Sequence, residues 1–265
     1  MWEPFSEFPL GDLNRRPYLS LRRNNQKFEN FLNDIFQGKK VIYPGIANLP
    51  YSKLKYLKDI LTAKKTLIKF TRGQRILPWL SKKYSFKKNL IMRHPLATVA
   101  SQLYHPAFSE EKTVHPVLSN YDFEIKGLDS YIEGINSFEK RLAITWCYDY
   151  LIPLREWKNC ENTLLITYEN LVKIPVNELG RIEDFLDLYF PEKIYKKIDV
   201  PSQTTVNDSN VKKDDSNPLT TWKERLTERQ IKNILEVLDK FQVDFYSRNL
   251  DADYEILRSK YEIEI

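Results

Sequence analysis

The chain has 265 residues, 42% hydrophobic and 13% aromatic, with only 7 glycines and a formal net charge of +5. That length supports one sizeable core, and the composition excludes a disordered or fibrous protein. The charge excess is mild and mixed, which suits a small anionic ligand better than nucleic acid, and no zinc-finger or RNA-recognition pattern occurs.

In chain order, residues 25–40 read as a helix. Phe28, Phe31, Leu32, Ile35 and Phe36 share one face, and Gly38 stands at its C-terminal cap. A short strand is predicted near 40–43, and a second helix over 51–63 with Ser52 as its cap. A strand over 66–71 follows, then a turn or short helix in 73–84. Asn89 to Met92 is an apolar run that reads as a buried strand, 89–93, with Arg93 at its end. Pro95 suits a first helical position, and Leu96, Val99, Ala100 and Leu103 follow helical spacing. Ser101 then lies in the second turn. Such a strand-to-helix junction offers backbone N–H groups and a positive dipole end to an anion.

Residues 105–128 read as irregular. A long helical region is predicted over 129–158, broken or kinked near Pro153. A fourth strand is expected at 163–168, then a helix over 175–190 opened by Pro175. Residues 201–221 are polar and turn-rich and read as a mobile loop. Thr227 and Gln230 form a capping box that opens a last amphipathic helix. Cys147 and Cys160 lack metal-ligand spacing, which favours reduced, structural thiols. No signal-peptide pattern and no run of about 18 apolar residues occurs, so the expectation is a cytoplasmic protein with no membrane span.

Strands alternating with helices predict a single α/β domain over 1–265, a mostly parallel sheet covered by helices on both faces. Ligands of such sheets sit at the carboxyl ends of the strands. Lys69 with Thr71 and Arg72, Arg93, and Tyr168 with Glu169 all fall there.

Four stretches taken together resemble the sulfotransferases that use 3′-phosphoadenosine 5′-phosphosulfate. "LIMRHPLATVASQL" is similar to the family's 3′-phosphate motif. "TLIKFTRGQRILPWL" is similar to the strand whose lysine faces the sulfuryl group. "LLITYENLVKIPVNELGRIEDFLDL" resembles the Tyr-Glu-Asp-Leu strand and the helix behind it, and "TTWKERLT" the C-terminal Trp-Lys segment. The resemblance spans about 66–240. It implies a P-loop-NTPase-like parallel sheet flanked by helices and transfer of a sulfuryl group, without a metal, to a hydroxyl or amine. A carbohydrate or small metabolite is the acceptor class it suggests.

The resemblance also implies residue roles. Arg93 and Ser101 would bind the 3′-phosphate, since a guanidinium fork matches its charged oxygens. Lys69 would stabilise charge on the leaving oxygen as the catalytic cation. Tyr168 would lie by the adenine. Lys212, Lys213 and Lys223 would fold over the phosphate, with Arg72 and Arg75 facing the donor or an anionic acceptor. Each has a plain structural reading too: Arg93 as the partner of a carboxylate, Lys69 as a strand-end lysine, Tyr168 as a core tyrosine, the other lysines as solvated surface. His94 reads as a turn residue or helix cap.

Two departures stand out. The Pro-Lys-Ser-Gly-Thr-Thr-Trp type loop that cradles the 5′-phosphosulfate does not occur in these 265 residues. The opening "MWEPF" resembles sequence that follows that loop, so the expectation is a missing loop-bearing first strand or a subfamily that lost the loop. Without the loop, weak catalysis or none is expected; a missing first strand further predicts a marginal chain that associates as a homo-oligomer or aggregates. The rival is a catalytically inactive remnant that still binds nucleotide; a P-loop kinase is disfavoured because the Walker lysine is absent. The second departure is Thr71, where the family often has a histidine base. His105, His115 or a carboxylate are the substitutes available.

Overall fold

The computed structural model describes residues 18, 20, 26–36, 67–70, 72–105, 121–195 and 217–263. The strand near 40–43 and the helix over 51–63 lie outside them. So do Thr71, His115, Lys212, Lys213 and residues 201–216 of the predicted loop. The described chain is an α/β structure, mostly helical around a small parallel sheet.

The sheet pairs β1, Lys88–Met92, with β2, Thr163–Thr167, from Lys88 opposite Thr163 to Met92 opposite Thr167. Both were legible as apolar runs, and their parallel pairing follows from the helical connection between them. Leu90, Met92, Leu165 and Ile166 are buried. The long connection begins with α3, Pro95–Leu103. Before it in the chain come α1, Gln26–Phe36, and α2, Leu77–Lys83, the latter entered through a short 3₁₀ turn at Gln74–Ile76.

The predicted helix over 129–158 is two helices, α4, Leu128–Glu133, and α5, Phe138–Arg155. The break falls at Gly134–Ser137, not at Pro153. Gly134 caps α4, whereas Pro153 sits in the last turn of α5, where its missing N–H removes one helical bond but the helix continues to Arg155. Leu142 to Leu154 of α5 are buried without interruption, as expected of a helix surrounded by protein. It packs on α3, on the turn at 74–76 and on a later helix, Glu228–Lys240.

After β2 come α6, Tyr168–Lys173, and α7, Pro175–Leu186. Tyr168 therefore opens a helix rather than ending a strand, because the Thr167 hydroxyl accepts the Asn170 N–H as a cap. Helix α7 stops four residues before the predicted end, at Asp187 in the left-handed region. A short α8, Glu192–Tyr195, follows, then α9, Thr221–Arg225, α10, Glu228–Lys240, and α11, Tyr254–Tyr261. The capping box of Thr227 and Gln230 is present at α10.

The predicted strand at 66–71 is not one in its described part. Residues 67–70 have no regular secondary structure and belong to neither β1 nor β2. Ile68 and Phe70 lie half-buried against a satellite core of Phe28, Phe31, Leu32, Ile35, Ile76, Trp79 and Leu80, while Leu67 and Lys69 face outward. Alternation in this stretch reflects packing on an aromatic surface, not a ladder.

The other edge of β1 is finished by side chains. Lys88 N–H donates to Asn162 C=O, so residues 88, 90 and 92 turn their backbone to β2 and residues 89, 91 and 93 turn theirs away. On that outer edge the Ile91 carbonyl accepts from the Tyr150 hydroxyl at 3.2 Å, and the Arg93 carbonyl from Trp146 Nε1 at 3.0 Å. Trp146 and Tyr150 are one helical turn apart on α5, so the helix supplies two donors at strand spacing.

Candidate functional site

The carboxyl ends of β1 and β2 carry Arg93, His94, Tyr168 and Glu169 side by side. The Arg93 guanidinium carbon lies 4.5 Å from the centre of the Tyr168 ring, a cation–π distance. Its Nη2 donates to the Pro218 carbonyl at 3.3 Å, just before α9, and its Nε is buried without a partner. Among the described residues Arg93 forms no ion pair, so the reading in which it merely neutralises a carboxylate is not what this structure shows. Ser101 is exposed on α3, and its hydroxyl makes no hydrogen bond among the described residues. Tyr168 is half-buried.

The junction does not offer the bare N–H groups that the sequence suggests. His94 N–H donates to Glu169 Oε1 at 2.9 Å, and Leu96 N–H donates to His94 Nδ1 at 3.1 Å. The chain's own carboxylate and imidazole thus occupy the helix start, and an anion there must rely on side chains. His94 is the helix cap expected of it. With Nδ1 accepting, Nε2 carries the proton and meets the Asn249 carbonyl at 2.9 Å. Its ring stacks on Trp222 at 5.7 Å and meets the edge of Tyr246 at 4.8 Å. Burial pushes this imidazole down to about 4, so it is neutral and committed on both nitrogens, which removes it as a base.

Glu169 is buried, and burial raises its carboxyl above the usual range. The His94 N–H and the Tyr246 hydroxyl, the latter at 2.9 Å from Oε2, oppose that rise. Burial also holds the Tyr246 hydroxyl protonated, so it donates. Nothing in the sequence points to Tyr246 or Asn249, which lie beyond the resemblance. Glu169 was visible only as a polar strand end.

The other expected site residues divide sharply. Lys69 is exposed on residues 67–70, which belong to neither strand of the sheet. Arg75 does not face a ligand at all: it is fully buried, its Nε donating to Asp149 Oδ1 at 2.7 Å and its Nη2 to the Thr145 carbonyl. Arg72 is half-buried, His105 is exposed, and Lys223 is exposed with its ammonium 5.6 Å from the Trp222 ring. Cys147 and Cys160 are buried free thiols, which fits the structural role expected of them. Among the described residues there is no group of three potential metal ligands and no helix long and apolar enough to cross a membrane.

The strand ends thus bring together a guanidinium that forms no ion pair among the described residues and keeps one buried N–H without a partner, and the ring of Tyr168 beside it, groups whose chemistry suits an anion. No protein-family model, curated protein or solved structure matches the chain.

Proposed function

We propose that the strand-end site binds the 3′-phosphate of a 3′-phosphorylated adenosine nucleotide, in a P-loop-like α/β domain of the sulfotransferase type. The single observation that carries this reading is the Arg93 guanidinium. It stands at the carboxyl end of a parallel strand, unpaired with any described carboxylate, with a buried donor left over. A phosphate monoester carries close to two charges and fits that fork. Ser101 adds a neutral donor, and Tyr168 offers a ring to the nucleotide beside the arginine. The reaction proposed with it is sulfuryl transfer from 3′-phosphoadenosine 5′-phosphosulfate to a hydroxyl or amine of a carbohydrate or small metabolite, with Lys69 as the cation at the leaving oxygen.

A second reading, a nucleotide-binding protein without transfer chemistry, is favoured by one observation. Lys69 lies on no strand of the sheet and touches none of the strand-end residues through a described polar contact. Calorimetry with 3′-phosphoadenosine 5′-phosphate and adenosine 5′-phosphate tests the binding. The first should bind more tightly by about 1.5–3 kcal/mol, the worth of a hydrogen bond to a charged group. Arg93→Ala should erase the difference, and equal affinities in the unmodified chain would sink the proposal. Radiolabelled-sulfate turnover over a panel of sugars and phenols separates the two readings: turnover that Lys69→Ala abolishes supports the enzyme.

A further inference from the structure

We propose that Glu169 and Tyr246 are positioning residues for Arg93, so that the segment near Tyr246, far along the chain, sets the anion selectivity of the strand-end site. This rests on reading Arg93 as the phosphate anchor. The peptide unit that presents Arg93 is its link to His94, and both of its polar ends are held. The Arg93 carbonyl accepts from Trp146 Nε1 at 3.0 Å, and the His94 N–H donates to Glu169 Oε1 at 2.9 Å. A planar peptide gripped at both C=O and N–H cannot rotate without breaking one of the two bonds. The direction in which the Arg93 side chain leaves the strand is fixed by that grip.

Glu169 acts on the same arginine a second way. Its neighbour Tyr168 supplies the ring beneath the guanidinium, 4.5 Å from its carbon. Two adjacent residues therefore anchor the backbone of Arg93 and supply the platform for its side chain. Two oxygens are needed because two donors converge. Oε1 takes the His94 N–H, and Oε2 takes the Tyr246 hydroxyl at 2.9 Å, with Glu169 and Tyr246 both buried. The Tyr246 ring also meets the edge of His94, whose Nε2–H bonds the Asn249 carbonyl at 2.9 Å. Further along, the Tyr254 hydroxyl bonds Thr167 Oγ1 and donates to Asn170 Oδ1, both at 2.8 Å. The chain from 246 to 254 is strapped across the ends of both strands, and Glu169 is where the strap and Arg93 meet.

A general loss of stability would weaken all nucleotides alike, whereas misplacing Arg93 removes the preference for the 3′-phosphate. The full chain carrying Glu169→Ala, Glu169→Gln or Tyr246→Phe is titrated calorimetrically with 3′-phosphoadenosine 5′-phosphate and adenosine 5′-phosphate. The ratio of the two dissociation constants is compared with that of the unmodified chain and of Arg93→Ala. Glu169→Ala and Tyr246→Phe should reduce the ratio about tenfold, since displacement of a binding group by about 1 Å has effects of that order or larger. Glu169→Gln keeps an acceptor for His94 N–H and an amide that the Tyr246 oxygen can accept from, so it should preserve the ratio within about threefold. If Glu169→Ala fails to fold, Tyr246→Phe, which keeps its ring on His94, decides the matter. A preference in the unmodified chain that survives intact in the folded Ala and Phe variants overturns this inference alone. So does equal loss in Gln and Ala, which would assign the effect to charge rather than to placement. Equal affinities in the unmodified chain overturn the anion site itself, and the inference with it.

Discussion

Arg75 and Arg93 sit on neighbouring parts of the same fold and meet opposite fates. Arg75 enters the core at the short turn before α2, has no exposed surface, and is matched by Asp149 from α5, with the Tyr148 ring 5.3 Å from its guanidinium carbon. Arg93 stands half-exposed at the strand end, over Tyr168, donating to a carbonyl and forming no ion pair among the described residues, with the Glu169 carboxylate close enough to feel its charge. The difference teaches that arginine chemistry is set by what the surrounding elements bring within reach. Around Arg75 the nearby helix brings the counter-charge, and the pair becomes part of the core. Around Arg93 the Glu169 carboxylate is bonded by two other donors, and no described carboxylate pairs with the guanidinium.

The sharpest way to break this comparison is to make the two arginines alike. Asp149→Ala leaves a charge buried beside Arg75 with its partner gone. It should cost about 3–5 kcal/mol in denaturant unfolding, while the double change Arg75→Met with Asp149→Leu should be close to neutral. Arg93→Ala, in contrast, should shift stability by no more than about 1 kcal/mol, because it removes a half-exposed cation–π contact and one long, exposed hydrogen bond to the Pro218 carbonyl. If the two single variants proved equally damaging, the division into a core arginine and a ligand arginine would be wrong.

Acid should act next most strongly, and on the strand-end region. Burial holds His94 down to about 4 against an ordinary 6.5. As pH falls below 6.5 the unfolded chain takes up that proton and the folded chain does not. Stability fully present above pH 6.5 is therefore lost progressively down to pH 4, on the order of 3 kcal/mol in all. Glu169 works in the opposite sense, since its raised carboxyl is protonated in the folded state before the unfolded one, and it offsets part of the loss. Urea midpoints between pH 7.5 and 4 measure the sum, and an imidazole resonance of His94 that titrates near 6.5 would contradict it.

Smaller effects sharpen the picture of the β1 edge. Trp146→Phe and Tyr150→Phe each remove one donor from an outer carbonyl of β1 and should each cost about 1 kcal/mol. Faster amide exchange confined to β1 would accompany them; no change in either measure would mean the edge carbonyls are otherwise satisfied. Ser101→Ala should be the mildest, within about 0.5 kcal/mol in stability, with its effect confined to nucleotide affinity.

On the edge of β1 that faces away from β2, side chains rather than a strand reach two backbone carbonyls. In the structure, α5 lays Trp146 and Tyr150 along that edge, and the Ile91 and Arg93 carbonyls find donors there. Hydrogen-bond supply from a helix face is invisible in hydropathy, because Trp and Tyr read simply as apolar members of a buried helix.

What the sequence by itself determined is local. The apolar runs became β1 and β2, Pro95 began α3, His94 capped it, and the Thr227 capping box opened α10. These rest on spacing, proline geometry and side-chain bonds to neighbouring backbone, all written within a few residues. Tertiary structure alone decided the rest. Residues 67–70 alternate like a strand yet lie on the aromatic cluster of α1 and α2, because alternation records burial and not pairing. Arg75 was buried by a carboxylate 74 positions away, and Arg93 was seated by Glu169, itself bound to a tyrosine 77 positions further on. Buried polar groups require partners, but which distant residue supplies each one is settled only when the chain has closed on itself.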